Sequence, residues 1–148
     1  MATDDFKNVR ISFWNRIKTQ YDDAGENVKY EGLDFDTEAV ETWVEPQMLS
    51  IAGRSRRTSM RNEDWLFQID HYAKVGPQSS TNPVQIWDLV GITRDSFDQQ
   101  TFDLKDWDAV GDPTVGYLIC KPIDLVEGPT EDDQLLRQIA TIRARINQ

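Results

Sequence analysis

Reactive side chains are scarce in this sequence: it holds one cysteine, Cys120, and one histidine, His71. A single thiol excludes an internal disulfide framework and points to folding in a reducing compartment. One imidazole and one thiol leave almost no soft-metal or nucleophilic chemistry. No apolar run approaches the ~18 residues of a membrane-spanning helix, which argues against a span. The opening MATDDFKNVR lacks the basic and apolar regions of a secretory leader. Basic charge is also short, with 16 Lys and Arg against 26 Asp and Glu, net −10. That balance disfavours a sequence-reading grip on duplex DNA and an anionic membrane as partner.

What remains is a globular composition: 39% hydrophobic, 28% charged, with five tryptophans in 148 residues. This length suits one domain with one real core. The charge is unevenly spread. Residues 1–45 carry five basic and eleven acidic groups, and residues 76–128 carry three and nine. Residues 46–75 invert the balance with five basic and three acidic, and residues 129–148 hold three of each.

The chain opens with an amphipathic helix. Phe6, Val9, Phe13, Ile17 and Tyr21 recur at three- and four-residue spacing, with Trp14 beside them and Gly25 as the stop. A short strand is expected at Val28–Tyr30, then an acidic loop through Asp34, Asp36 and Glu38. Val40, Thr42 and Val44 alternate with Glu41, Trp43 and Glu45, a strand ended by Pro46 and resumed at Met48, Leu49 and Ile51 after a bulge. Trp65, Phe67, Ile69 and His71 alternate with Leu66, Gln68, Asp70 and Tyr72, the strongest strand signal present. The two strands form a hairpin whose connection is GRSRRTSMR. Asn82–Pro83 starts a helix with Val84, Trp87 and Val90 on one face and Ile86 and Leu89 alongside. Strands return around Thr101–Leu104 and Val115–Val126, with Pro122 forcing an edge or a bend.

Gly128–Pro129 marks a boundary. Thr130 and Asp133 resemble a capping box, and Leu135, Ile139, Ile142 and Ile146 form a narrow stripe beside Leu136. The expectation is an amphipathic helix over residues 129–148, appended to an α+β domain over residues 1–128. It packs on its own domain or on a neighbouring subunit, with Leu135, Ile139, Ile142 and Ile146 as the contact. The fold class is α+β, an antiparallel or mixed β-sheet flanked by helices.

Few residues are candidates for chemistry. His71 shares a face with Trp65, Phe67 and Ile69 and reads as structural, and Cys120 in an apolar strand reads as an inert buried thiol. Asp106, Asp108 and Asp112 miss the spacing of a calcium loop and read as a solvated turn, as do Asp22, Asp23 and Glu26. No nucleophile elbow and no phosphate-binding glycine loop is present. Arg54, Arg56, Arg57 and Arg61 stand out, a local positive site in an acidic protein. Its partner is the chain's own acids, an acidic protein face or phosphate.

Four segments together resemble a known family. They are DFKNVRISFWNRIKTQY, ETWVEPQML with GRSRRTSMRNEDW, WLFQIDHYAKVG, and SSTNPVQIWDLV. Over roughly residues 4–126 they resemble the tail terminator (tail completion, or minor tail) proteins of long-tailed bacteriophages. The resemblance implies a structural virion protein, not an enzyme and without cofactor or metal. Such a subunit forms a homo-oligomeric ring, usually a hexamer, on the head-proximal end of the tail tube. There it ends tube polymerisation and offers a surface for head–tail joining, after assembly in the host cytoplasm. Its partners would be the tail tube protein and a head-closure or connector protein, with genomic DNA passing an acidic channel without specific binding. Arg54, Arg56, Arg57 and Arg61 would form the protein-docking loop. The alternatives are a head-closure or connector protein of the same neck, or a metal-dependent hydrolase built on the aspartates.

Overall fold

Val9, Phe13, Ile17 and Tyr21 follow one another at a spacing of four, and that spacing shapes the first element. At 3.6 residues per turn each step overshoots a full turn by about 40°, so a straight α-helix would carry the stripe off its target. In the computed structural model, α1 (Asp5–Ile17) gives way to a wider π-type turn at Lys18–Asp22. The wider turn absorbs the drift, and all four side chains are fully buried. Gly25 then stops the helix at φ +86°, a conformation a side chain resists. The structure describes residues 5–52, 64–76, 84–128 and 134–147.

Six strands of the described residues form one curled antiparallel sheet: β1 (Thr42–Ala52), β2 (Asp64–Lys74), β3 (Thr101–Lys105), β4 (Thr114–Cys120), β5 (Asp124–Glu127) and β6 (Leu135–Asn147). The order is β1-β2-β6-β4-β3, with β5 also paired to β6. Helix α2 (Gln85–Phe97) and α1 share one face of the sheet with the core. There Phe13 stacks on Phe67 at 4.2 Å between centroids, and Phe97 meets Phe13 and Phe102 edge-on or tilted. The architecture is α+β: one sheet, helices on one side, and no helix of the described residues against the other.

Strand β2 follows its sequence pattern: Trp65, Phe67, Ile69, His71 and Ala73 all point inward and are fully buried. Strand β1 pairs with it antiparallel as a hairpin. Pro46 does not end β1. It pairs opposite Ile69 inside the strand, tolerated because β1 is an edge, and the expected bulge falls at Leu49. The short strand at Val28–Tyr30 reduces to a single bridge between Val28 and Val44. Helix α2 is longer than its first apolar face suggests. Val84 and Trp87 are exposed, and the buried face is Ile86, Leu89, Val90, Thr93, Ser96 and Phe97.

The largest correction concerns the C-terminus. Residues 135–147 are a strand, not an appended helix, and that strand is the middle of the sheet. It pairs with β2 from Leu135 to Arg145, and on its other side with β5 and then β4. Pro122 produces the bend expected of it. Cys120 faces Ala144 while Asp124 faces Thr141, so the register moves by one residue where β4 passes into β5. The division at residue 128 therefore separates no structural unit, because the core is incomplete without β6. Ala140, Ile142, Ala144 and Ile146 are buried, whereas Arg143, Arg145 and Asn147 are exposed.

This alternation predicts opposite outcomes for neighbouring substitutions. Ile142→Ala should destabilise by about 2–5 kcal/mol through the cavity it leaves. Arg143→Ala should stay within about 0.5 kcal/mol. Urea titration of the two variants checks this, and equal effects would contradict an inward Ile142 beside an outward Arg143.

Candidate assembly surface

Two arginines on β6 make the basic feature that the structure places. Arg143 faces Leu66 on β2 and Arg145 faces Ile119 on β4, both exposed on the sheet surface that carries no helix. Neither is ion-paired among the described residues. Half-exposed Tyr117 and partly buried Leu66 and Ile119 surround them. The sequence-predicted loop residues Arg54, Arg56, Arg57 and Arg61 lie outside the described residues. The strand ends flanking that segment meet here, since Ala52 faces Asp64 and Asp64 faces Arg145. Sequence reasoning missed Arg143 and Arg145 because a helical reading assigns them to the C-terminal dipole. The signal that finds them is the alternation Ile142–Arg143–Ala144–Arg145–Ile146.

The stripe expected to contact a neighbour is split by the strand. Ile142 and Ile146 point into the core, while Leu135 and Ile139 lie on the opposite parity with Arg137. The four do not form one surface.

Toward the other end of the helix-free face lies a rigid polar ladder. Trp43 stacks on Tyr72 at 5.1 Å, and the Arg137 guanidinium sits 5.7 Å above the Tyr72 ring. Arg137 also donates to Asp70 at 2.7 Å, and Gln68 Nε2 donates to the other Asp70 oxygen at 2.7 Å. Asp70 is almost fully buried although it faces outward, so Arg137 is its necessary counter-charge. Burial, with the nearby charges of Glu45 and Asp70, pushes the Tyr72 hydroxyl up to about 12. Gly128 closes this ladder. A β-carbon there would stand 2.7 Å from Arg137 Cδ and 2.9 Å from Ile139 Cδ1.

The edge of β1 is closed to further strands along its first half. Asn27 O accepts from Val44 N at 3.0 Å, and Lys29 N donates to Val44 O at 2.8 Å. Asn27 Nδ2 donates to Thr42 O, Glu31 Oε1 accepts from Met48 N at 2.8 Å, and Pro46 has no N–H to offer. Such capping is how an edge is kept from unregulated pairing. At the opposite edge, Ser12 Oγ accepts from Lys105 N, and Asn8 Oδ1 accepts from Trp107 N. These two buried side chains of α1 anchor the β3–β4 hairpin, with Lys7 ion-paired to Asp108.

The aspartates of that hairpin lie in a turn held by its own hydrogen bonds. Asp106 Oδ1 accepts from Asp108 N at 3.1 Å, and Asp112 adopts φ +46°. Among the described residues no group of His, Cys, Asp or Glu could hold a metal ion. Cys120 is buried, and burial pushes its thiol up to about 12.

His71 sits in a buried polar chain. Its Nδ1 is 2.9 Å from Gln138 O, which fixes Nδ1 as the protonated nitrogen and Nε2 as the acceptor. Thr93 Oγ1 donates to Nε2 at 2.5 Å and accepts from the Tyr21 hydroxyl. The chain thus ties the π-type turn that follows α1 to α2, β2 and β6, and its polarity holds only for a neutral imidazole. Burial lowers the His71 pKa from 6.5 to about 4.

Comparison with family models and with curated proteins finds no match. Comparison with solved structures does find the fold. One such chain superposes at a TM-score of 0.60 and 14% identity, over 96% of this chain and 95% of that chain. At that identity the likeness establishes shared architecture alone.

The His71 environment predicts a pH dependence. The folded pKa lies below the unfolded one, so the unfolded state binds more protons between 6.5 and about 4. Stability therefore falls as pH drops through that window, by about 3 kcal/mol from this residue when fully traversed. His71→Gln should be less stable at pH 7 and show a shallower acid slope, read by denaturant titration at pH 7, 5.5 and 4. Parallel slopes for the two proteins would contradict the assignment.

Proposed function

We propose that this chain is a ring-forming structural subunit of a phage tail neck, a tail terminator at the head-proximal end of the tube. The observation that carries the reading is a sheet surface left without a helix, bearing Arg143, Arg145 and Tyr117, beside a β1 edge capped by its own chain. Capping along the first half of β1 removes backbone pairing there as a route to open-ended growth. Contacts through side chains on faces are left, and these can close into a ring when copies meet head to tail. The sequence resemblance over residues 4–126 supplies the setting. Arginine and tyrosine on an exposed, partly apolar face are the residue types that anchor protein interfaces.

On this reading the ring stops the tube by matching its end on one side and presenting different chemistry on the other. Ten net negative charges per copy give DNA phosphates no counterion-releasing contact along an acidic wall. The arginines at 54, 56, 57 and 61 supply the local exception, suited to an acidic protein face by their forked donors.

The test is assembly in the presence of tail tubes. Arg56→Glu/Arg57→Glu should leave the thermal melt unchanged while tails become overlong or fail to join heads by electron microscopy. Normal tail length and normal joining would overturn the docking role. Pull-down of portal-side protein without tube protein would move the subunit to the connector side of the neck.

A further inference from the structure

The charge of this chain is not only unbalanced but separated along the sheet. Arg143 and Arg145 mark the end of the sheet where β1 finishes and β2 begins. The opposite end of β1 is strongly acidic. Lys74 N donates to Glu41 O and Lys74 Nζ to Glu38 O, which seats the acidic loop against the end of β2. Glu26 and Asp88 line a cleft of about 250 Å³ with Thr42, the first residue of β1. An eleven-residue strand at about 3.3 Å per residue puts roughly 35 Å between the two ends, several Debye lengths at physiological salt. The two corners of one copy therefore cannot neutralise each other.

Both corners carry interface chemistry besides charge. Trp87, 51% exposed, stands in the first turn of α2 beside Asp88, and Val84, 61% exposed, immediately precedes that helix. Guanidinium groups stack on tryptophan and fork carboxylates, so this corner fits arginine better than lysine. The arginine corner adds Tyr117, Leu66 and Ile119 as its apolar part.

We propose that the arginine corner of one copy, Arg143 and Arg145, docks against the acidic corner of a second copy, Glu26, Glu38 and Asp88 around Trp87. The occupant is a second copy because each corner carries what the other lacks. A twofold pairing of like corners would oppose arginine to arginine, or acid to acid. The contact is heterologous and repeats around a ring. It takes its biological setting from the tail-neck reading, of which it names the subunit–subunit surface.

The experiment is sedimentation velocity of the purified chain at low and high salt, with two surface variants. Arg143→Glu/Arg145→Glu and Glu38→Lys/Asp88→Lys should each remain monomeric where the parent protein associates, with association weakened roughly tenfold or more. Mixing the two variants should restore association, because between unlike copies the new glutamates of one arginine corner meet the new lysines of the other acidic corner, and the intact arginine corner meets the intact acidic corner. Trp87→Ala should weaken association while leaving its salt dependence in place. Unchanged association in both charge variants overturns this contact and leaves the ring reading intact. A parent protein that stays monomeric at low salt and high concentration overturns the contact too, and the ring reading then rests on the tail-joining assay alone.

Discussion

Strand β6 is hydrogen-bonded along both edges, by β2 on one side and by β5 and β4 on the other. A strand so held cannot rotate or slip, because a shift of one residue would exchange its buried and exposed faces. Its register places four things at once. Gln138 O meets His71, Arg137 meets Asp70, the small Ala140 and Ala144 leave room for the core beneath the helices, and Arg143 and Arg145 face solvent. The polar chain through Thr93 and Tyr21 then fastens α2 and the π-type turn after α1 to that strand pair. Most of the cohesion is apolar burial, but the position of each polar group follows from β6.

Much of the fold was legible because its signals were local. β2 alternates over nine residues without interruption, and α1 keeps a spacing of four that only a helix on a core would keep. β6 was not legible for a physical reason. Leu135, Ile139, Ile142 and Ile146 satisfy helical spacing, while Ile142, Ala144 and Ile146 satisfy strand spacing. Periodicity alone does not arbitrate between the two, and three isoleucines with Thr141 were the β-branched hint. What decides is pairing to strands more than fifteen residues away in the chain, which no local pattern contains. The same error hid the candidate site, since the two arginines face solvent together only when the segment is extended. Trp87 shows the converse. It occupied an apolar helical face in the sequence, yet the buried face of α2 runs through Leu89, Thr93 and Phe97.

Two edges of the sheet are shielded in part, by different means: β1 along its first half and β3 at its last residue. β1 is shielded by backbone and side chains of residues 27–31, which lie between α1 and the strand itself. β3 is flanked by α1, whose Ser12 bonds its last amide. Both devices use the first fifth of the chain, so α1 and the residues after it work as much by covering the sheet's margins as by filling its core. Shielding a backbone edge matters because edge pairing is indifferent to side chains and has no natural stopping point.

Charge is patterned over this surface as well as net negative. Ten net negative charges make two copies repel at long range, and salt at physiological strength screens that repulsion beyond about 8 Å. At contact the local pattern governs instead, and here it is asymmetric: arginines at one end of β6, acids at the start of β1. Asymmetric surfaces of this kind favour head-to-tail contacts over twofold ones, and head-to-tail contacts either close into rings or grow into filaments. Which of the two follows is set by whether the rotation relating successive copies closes. A curled sheet with helices on one side has two unlike faces. On the tail-neck proposal, two unlike faces are what would let one side meet the tube while the other presents different chemistry.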